Sequence, residues 1–360
     1  MAFASTELAL GPGGGVTRVA VVSPYDLVRP GGVQNQVLEL AKQLKLVGHD
    51  AWVVGPGAPA HLGVDIGRSV VIPANGSRVP ICLAPSAISR TRAAVASADV
   101  VHLHEPLMPI VGPALLSTSL PLVATAHAAP PSWVKPIYRM TPRRWWTGRV
   151  VTAVSAAAAA PLGRPARVIP NGLEVGAFRL PEEKRENRVV FLGRSDRRKG
   201  LEVLLHAWDR IRRESGNAEL VVLGSDGPDG PDDNGIVFRG RVSEEDKRLE
   251  LARAAIYVAP NLGGESFGIT LVEAMAAGCA LVVSELEPFR EVAGEAALYV
   301  APGDPAVLAS AVTRLLGSSS ERAALAAAAL ARVTRFDWSV VLPQYLECYQ
   351  AVAGGQQRPG

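Results

Sequence analysis

The sequence predicts an α/β protein made of two doubly wound domains that face each other across a cleft. Three observations carry this prediction: a length of 360 residues, a repeated alternation of apolar runs with helical patterns, and a turn signal where that alternation restarts. A chain of this length exceeds what one hydrophobic core usually supports, which favours two domains. Runs that are apolar throughout are typical of parallel strands covered by helices on both faces.

The first domain is expected over residues 1–167, with a disordered leader at 1–16. The leader has no basic segment and no long apolar run, so it does not resemble a signal peptide. A helix is predicted from Gly32 to about Gly48. The predicted strands lie in the segments RVAVVSP, DAWVVGP, VVHLHEP, PLVATAHA and RVVTAVS.

The second domain is expected over residues 168–336, where the turn signal Pro-Asn-Gly at 170–172 marks the junction. Its predicted strands lie in RVVFLGR, AELVVLGS, GIVFRGR, IYVAPN and ALVVSE, with helices between most of them. Beyond Asp304 only helices are predicted. The last helix is expected over 337–352 and interrupted by Pro343, before a disordered tail at 353–360.

Composition narrows the class of partner. The net charge of +3 is too small to indicate a nucleic-acid partner, although a local basic patch would still attract phosphates or anionic lipid. The three cysteines are scattered and form no CxxC pair, which indicates neither disulfides nor zinc. No apolar run reaches the roughly 20 residues of a membrane-spanning helix. We therefore expect a cytoplasmic protein that is soluble or peripheral on the inner face of the cell membrane.

Candidate binding residues follow the predicted strands, where ligands of open α/β sheets bind. Gly31 and Gly32 enter a helix, and the N–H groups of such a helix start bind phosphate; a simple turn explains these glycines equally well. No GxGxxG follows this strand, which disfavours a nicotinamide enzyme. In the second domain, Arg194 after a strand and Lys199 before a helix suit a diphosphate. The neighbouring Arg198 is interpreted as a surface residue, like Arg197.

The stretch NLGGESFGITLVEAMAAGCALVVSE is the most specific part of the sequence. It carries Glu265 in a predicted loop and Glu273 within a helix predicted to begin near Phe267. Eight residues of helix span about 12 Å, whereas retaining glycosidases hold their two carboxylates about 5 Å apart. The pair therefore suits the two ends of one extended ligand, with a sugar at Glu265 and a ribose at Glu273, better than it suits hydrolysis.

Histidines mark two strand ends of the first domain. His127 follows its strand directly, and a structural and a catalytic role are equally supported. His102, His104 and Glu105 in VVHLHEP are interpreted as structural or cleft-lining, because no further metal ligand lies nearby and the chain has no Asp-x-Asp motif. No metal site is therefore expected.

Residues 133–149 interleave aromatic and basic side chains. Such a mixture is typical of interfacial membrane contact, and packing of the aromatic rings against the domain core explains it equally well. Single-stranded nucleic acid fits less well with the weak net charge. The residues are Trp133, Lys135, Tyr138, Arg139, Arg143, Arg144, Trp145, Trp146 and Arg149.

Several of these motifs together resemble one family. RPGGVQ, HEP, the histidine after ATA, GRSDRRKG and above all GGESFGITLVEAMAAG resemble the retaining GT-B glycosyltransferases that include glycogen and sucrose synthases. From about Arg18 to Val352, segments such as SPYD, PANGS, VVHLHEP and RFDWSVV are similar to actinobacterial phosphatidylinositol mannosyltransferases. The resemblance implies two Rossmann-like domains of the GT-B type, with the last helix crossing back to the first. It implies transfer of a hexose with retention, with GDP-mannose favoured as the donor and phosphatidyl-myo-inositol or a related lipid as the acceptor.

The resemblance also assigns residue roles. The implied catalytic residues, which touch the reacting sugar or its leaving diphosphate, are His127, Arg194, Lys199 and Glu265. The further implied donor contacts are Gly31, Gly32, Val242, Lys247, Ser266, Phe267, Gly268 and Glu273, with Val242 and Lys247 near the guanine and Glu273 at the ribose. The acceptor contacts that we expect are Tyr25, Asn75 and Arg78.

The sequence departs from these mannosyltransferases around the acceptor. Pro80 replaces a basic residue after PxNGS, the basic residues of a membrane-facing helix are reduced to Arg90 and Arg92, and Ala128 replaces a hydroxyl residue. One alternative is the same fold with a different nucleotide sugar, glycolipid or soluble acceptor, and another is an inactive nucleotide-binding scaffold. We expect no tightly bound cofactor, with Mg²⁺ at most a stimulant, peripheral contact with anionic membrane, and no nucleic-acid partner.

Overall fold

The computed structural model describes residues 17–74, 77–128, 136, 139–227 and 234–354, without the side chains of residues 73, 74, 77 and 78. The chain divides into two compact units. The first unit comprises residues 1–169 and 342–360, and the second comprises 170–341. The predicted leader at 1–16, and residues 355–360 of the predicted tail, lie outside the described residues.

The first unit is built on a seven-stranded parallel sheet in the order β3-β2-β1-β6-β7-β8-β9. Its strands, which include the separate antiparallel hairpin β4-β5, are β1 (Arg18–Val22), β2 (Asp50–Gly55), β3 (Gly63–Asp65), β4 (Val70–Ala74), β5 (Ser77–Ile81), β6 (Val100–His104), β7 (Leu122–Ala126), β8 (Val150–Ala153) and β9 (Arg167–Val168). Its first helices are α1 (Gly32–Leu46), α2 (Ser86–Ala94), α3 (Val111–Leu116) and α4 (Ala156–Ala159).

The second unit repeats this plan with a six-stranded parallel sheet in the order β12-β11-β10-β13-β14-β15. Its strands are β10 (Arg185–Leu192), β11 (Glu219–Leu223), β12 (Ile236–Phe238), β13 (Ala254–Ala259), β14 (Ala280–Ser284) and β15 (Ala297–Val300). The helices that follow in the chain are α5 (Leu201–Ser215), α6 (Glu244–Arg253), α7 (Ile269–Ala276), α8 (Glu287–Ala293), α9 (Pro305–Gly317), α10 (Ser319–Val333) and α11 (Trp338–Gly354).

Apolar periodicity explains how each helix is placed on its sheet. Helix α5 buries Leu201, Leu204, Trp208 and Ile211, which recur at the spacing of one helical face, against the apolar strands of the second unit. Helix starts carry side-chain caps that satisfy free N–H groups. Asp304 accepts hydrogen bonds from two amides of the first turn of α9, for example.

The predicted α/β alternation is confirmed. Helix α7 begins at Ile269, close to the predicted start near Phe267, and the preceding Gly268 has φ +94°, which lies outside the helical conformation. The structure corrects two expectations for the last helix. Pro343 lies inside α11 without ending it. This helix also includes Ala353 and Gly354, which the sequence placed in the tail. The predicted strands did not include β3, the hairpin β4-β5, β9 or β15.

Candidate active site

The strand order reverses once in each sheet, between β1 and β6 in the first unit and between β10 and β13 in the second. Ligands of open α/β sheets bind outside the carboxyl ends of the strands at such a switch point. In the second unit, the loop after β10 carries Arg194 and Lys199, and the loop after β13 carries Glu265. The structure thus brings three of the sequence-predicted residues to one end of one sheet.

Lys199 and Glu265 form an ion pair at this switch point. The Lys199 Nζ lies 2.7 Å from the Glu265 Oε2, and the side chains are 26% and 17% exposed. Asn261 donates to the same carboxylate oxygen at 3.1 Å. Sequence reasoning missed Asn261, although a polar residue two positions after the apolar strand in IYVAPN was the available signal. The pair presents an ammonium and a carboxylate side by side within reach of a ligand, while Arg194 is exposed on the same loop.

Backbone packing holds the two loops together. Gly200 has φ +69°, and a Cβ atom there would lie 1.9 Å from the carbonyl oxygen of Pro260, so no other residue fits without moving a loop. The amide of Leu262 donates to the carbonyl of Arg198 at 2.8 Å. The Arg198 guanidinium bonds Asp196 at 2.8 Å and the carbonyl of Gly264 at 3.2 Å. The interpretation of Arg198 as a surface residue is therefore wrong, because it links the two loops.

Glu273 forms a second, buried ion pair from within α7. Its Oε1 lies 2.7 Å from the Nζ of Lys247 on α6, and both residues are less than a tenth exposed. Burial raises the pKa of Glu273, and the Lys247 charge opposes that rise. Burial alone would lower the pKa of Lys247, but the adjacent Glu273 and Glu244 outweigh it and raise that pKa. Lys247 therefore stays charged and contacts the Glu273 carboxylate directly.

The second oxygen of Glu273, Oε2, is buried and has no hydrogen-bond partner among the described residues. Buried carboxylate oxygens are nearly always paired, because leaving one unpaired forfeits its interactions with water. An acceptor held in this way suits a ligand that brings hydroxyl donors.

The other predicted donor contacts surround these pairs. Gly268 precedes the first turn of α7, and Val242 precedes Ser243, which caps α6. Ser266 is half-buried in the loop before α7. The Phe267 ring is 5% exposed and packs edge-on against Phe336 at 5.8 Å between centroids, so its side chain belongs to the core of the unit.

The first unit places a row of buried polar side chains at its own switch point. His104 ends β6, and its Nδ1 lies 2.7 Å from the Nε2 of His127, which follows β7. Glu105 accepts hydrogen bonds from the amides of His127 and Ala128, both at 2.7 Å. Glu105 is 2% exposed, and burial raises its pKa to about 7 against the opposing effect of these two amides. The sequence identified these positions but not their contacts.

His102 continues this row into the unit. Its Nδ1 lies 2.7 Å from the hydroxyl of Tyr349 on α11, and its Nε2 lies 2.6 Å from the hydroxyl of Thr125 on β7. Burial lowers the pKa of His102 to about 3, so the ring is neutral near pH 7. His102 is therefore structural, as one of the two sequence interpretations had it.

Tyr25, Gly31 and Gly32 lie between the carboxyl end of β1 and the first turn of α1. Gly31 precedes α1 in an extended conformation, and a Cβ atom on Gly32 would meet nothing within 4 Å. Tyr25 is 6% exposed and bridges to Ile81 of β5. Asn75 and the side chain of Arg78 lie outside the described residues.

Of the aromatic–basic segment, the structure describes Pro136 and residues 139–149. Trp133, Lys135 and Tyr138 lie outside the described residues. Trp145 and Trp146 pack against the core of the first unit. The Trp146 Nε1 donates to Thr141 at 2.9 Å, and the Arg164 guanidinium lies 3.9 Å from the centre of the Trp146 ring. These two tryptophans follow the packing interpretation.

The described residues contain neither a cluster of metal ligands nor a membrane-spanning helix. No three His, Cys, Asp or Glu side chains in that part of the chain are grouped as a metal site would require. In the same part of the chain, no helix combines the length and apolar character that crossing a bilayer demands.

Comparison with known proteins identifies relatives over both units. The family model described as glycosyl transferases group 1 matches residues 186–318, and that described as glycosyltransferase family 4 matches residues 30–176. The phosphatidyl-myo-inositol mannosyltransferase of Mycolicibacterium smegmatis is 36% identical, with 94% of each chain covered.

Solved structures show the same fold at lower identity. A glycosyltransferase from Rickettsia africae superposes with a TM-score of 0.73 at 18% identity, covering 94% of this chain and 98% of that one. Anabaena HepE in complex with UDP and glucose gives 0.72 at 18% identity, covering 92% and 98%.

Proposed function

We propose, because the chain belongs to the group 1 glycosyltransferases, that it transfers mannose from GDP-mannose to phosphatidyl-myo-inositol or a closely related membrane lipid. The chain is a glycosyltransferase of the GT-B fold. The observation that carries the finer proposal is the pair of carboxylate–lysine contacts at the end of the second sheet, in a chain 36% identical to a phosphatidyl-myo-inositol mannosyltransferase.

The two carboxylates suit the two ends of a nucleotide sugar. The buried Oε2 of Glu273 would accept the hydroxyl groups of the ribose, which satisfies that oxygen. Glu265 would accept hydroxyl groups of the hexose, and the adjacent Lys199 would turn toward the diphosphate. The exposed Arg194 would provide a second cation for the same phosphates. The base would lie near Val242 at the start of α6.

The proposed reaction is a front-face transfer that retains configuration. The bond from the anomeric carbon to the diphosphate oxygen breaks, and a bond from that carbon to the acceptor oxygen forms on the same face. The acceptor proton passes to the departing diphosphate. Lys199 and Arg194 would stabilise the negative charge that develops on the diphosphate. Electrostatic stabilisation of this kind is usually the largest single contribution to catalysis. We propose that Mg²⁺ acts at most as a stimulant of this reaction.

Charge distribution supports peripheral contact with an anionic membrane. Residues 106–173 contain seven Lys and Arg and no Asp or Glu. The chain has 37 Lys and Arg, so the residues outside this stretch contain 30 of them together with all 34 Asp and Glu. The net positive charge of the chain therefore resides in residues 106–173. Within it Arg139, Arg143 and Arg144 are exposed, and Met140 is 82% exposed. Arg92 of α2, by contrast, bonds Ala114 and Ser117 of the first unit.

A donor screen followed by a transfer assay tests the proposal. GDP and GDP-mannose should raise the melting temperature, because they bind the native state, whereas UDP, UDP-glucose, ADP and NAD should not. Vesicles with phosphatidylinositol should then receive labelled mannose, and proton NMR of the product should show an α linkage. Stabilisation by UDP or UDP-glucose would instead indicate that the donor is a UDP-sugar. No transfer from any nucleotide sugar would refute the enzymatic proposal for this chain.

Membrane contact is tested separately on vesicles without phosphatidylinositol. The triple variant R139Q/R143Q/R144Q should lose binding to equal mixtures of phosphatidylcholine and phosphatidylglycerol by on the order of 100-fold, since each basic residue contributes about 1 kcal/mol. The control R210Q/R213Q/R314Q removes the same charge from α5 and α9 of the second unit and should bind as wild type does. Equal losses in both variants, or in neither, would contradict the assigned surface.

A further inference from the structure

The contact between His104 and His127 fixes where one proton lies. The Nδ1 of His104 and the Nε2 of His127 are 2.7 Å apart, the rings are stacked at 5.0 Å between centroids, and both residues are buried. A hydrogen bond of this length needs a proton on one of the two nitrogens and a lone pair on the other.

Either His104 donates to His127, or His127 donates to His104, and the second nitrogen of His104 decides between these two arrangements. His104 Nε2 is buried and has no hydrogen-bond partner among the described residues. A buried N–H without an acceptor is rarer in native proteins than an acceptor that lacks a donor. The proton of His104 therefore lies on Nδ1, and His104 donates to the Nε2 of His127.

We propose that His104 is a positioning residue that holds His127 as the neutral imidazole protonated at Nδ1. His127 then acts as a hydrogen-bond donor through Nδ1 and is not a base through Nε2. Protonating its Nε2 would bring two N–H groups face to face at 2.7 Å, unless His104 moved its own proton onto Nε2, which has no acceptor in the described part of the chain.

Some neighbouring ionisable groups favour neutral rings at His104 and His127, and one favours a charged His127. Burial, followed by the neighbouring His102 and His127, lowers the pKa of His104 well below its ordinary value, so His104 stays neutral. His102 stacks on His104 at 4.3 Å, and Tyr345 and Tyr349 of α11 border His102 from the other side. Glu105 is the opposing influence, because its carboxylate favours a charged His127 above the Glu105 pKa of about 7.

What this tautomer of His127 means for catalysis rests on the proposed function. A neutral donor near the reacting sugar can hold a sugar hydroxyl or a developing negative charge, whereas a histidine without an available Nε2 lone pair cannot take the acceptor proton through that atom. The proton is then left to the departing diphosphate, in agreement with front-face transfer.

Nitrogen NMR of the full-length chain tests the tautomer without substrate. The six histidines are labelled with ¹⁵N, and His127 is assigned by its loss in His127→Gln. In wild type, the long-range ¹H–¹⁵N pattern should report a neutral Nδ1–H ring for His127 at a pH about one unit below 6.5, the ordinary pKa of an unperturbed histidine. An Nε2–H tautomer, or a charged ring, would overturn the proposal whatever the fate of the activity assay.

Two substitutions of His104 separate the proton assignment from simple packing. His104→Asn keeps a side-chain N–H near the position of Nδ1, and His104→Leu removes it. His104→Leu should raise the pH at which His127 gains its second proton by about one unit, the effect of one lost hydrogen bond, and His104→Asn should not. The acid limb of kcat/KM should move by the same amount. Equal titration of His127 in wild type and in His104→Leu would refute the role.

Discussion

The buried pair of Lys247 and Glu273 allows a quantitative test of the second unit. Lys247→Met keeps the length of the aliphatic stem and removes the charge. Their charged atoms lie 2.7 Å apart and the residues are 8% and 7% exposed, so the variant leaves a buried carboxylate without its partner. Breaking a buried pair in this way typically costs about 3–5 kcal/mol.

The loss should depend on pH with a defined sign. Burial already raises the pKa of Glu273, and the opposing charge of Lys247 disappears in the variant, so the raised pKa rises further. A carboxyl whose pKa is raised in the folded state contributes stability below its unfolded pKa and loses it as the pH rises through the folded pKa. The deficit of Lys247→Met should therefore be smallest near pH 4.5 and increase toward pH 8.

Urea denaturation at pH 5 and pH 8 measures both quantities. Lys42→Met is the matched control, because its ammonium pairs with Glu39 at 3.0 Å while 52% exposed, and such pairs contribute about 0–1 kcal/mol. The double variant Lys247→Met with Glu273→Gln should recover much of the loss, since no buried charge remains. The reasoning fails if Lys247→Met loses no more free energy of unfolding than Lys42→Met at pH 8, or if its loss is the same at both pH values.

Two further predictions concern the ends of the two sheets. Lys199→Ala should lower kcat by about 10²–10³ through loss of charge stabilisation. Loss of this partly exposed ion pair should leave the melting temperature within a few degrees of wild type. Near-native turnover would remove Lys199 from the site. Glu105→Gln keeps the oxygen that accepts the amides of His127 and Ala128. Because the Glu105 pKa rises from 4.5 to about 7 on folding, ionisation costs the wild type about 3 kcal/mol at pH 8 and nothing near pH 4. Glu105→Gln should therefore unfold at higher urea than wild type at pH 8 and at the same urea near pH 4, and an equal stability at pH 8 would contradict the buried carboxyl.

The fold could be predicted because it depends on local patterns. Apolar runs such as RVVFLGR become strands wherever helices cover both faces, and residues after those runs collect at one sheet edge. Lys199 and Glu265 were both expected at such an edge, and they lie together there. The contacts between individual atoms could not be predicted. Lys247 and Glu273 are 26 residues apart and pair only because α6 and α7 lie on the same sheet.

The errors have a similar origin. Arg198 looked like a solvated residue because nothing in its own segment shows that Gly264 comes within reach of its guanidinium. Pro343 was expected to interrupt the last helix, but α11 continues through it. The sequence placed His104 and His127 at two strand ends without indicating that their rings form a hydrogen bond.

The ion pair of Lys199 and Glu265 has a consequence for product release. In the proposed binding mode, a nucleoside diphosphate without its sugar would draw Lys199 away from Glu265 and would give that carboxylate no hydroxyl group in exchange. A sugar nucleotide would supply both partners at once, so it would bind more favourably than the diphosphate that transfer leaves behind. The same pair would re-form when the hexose departs, which would help to displace the spent nucleotide. Product inhibition by the free diphosphate should accordingly be weak relative to the affinity for the donor.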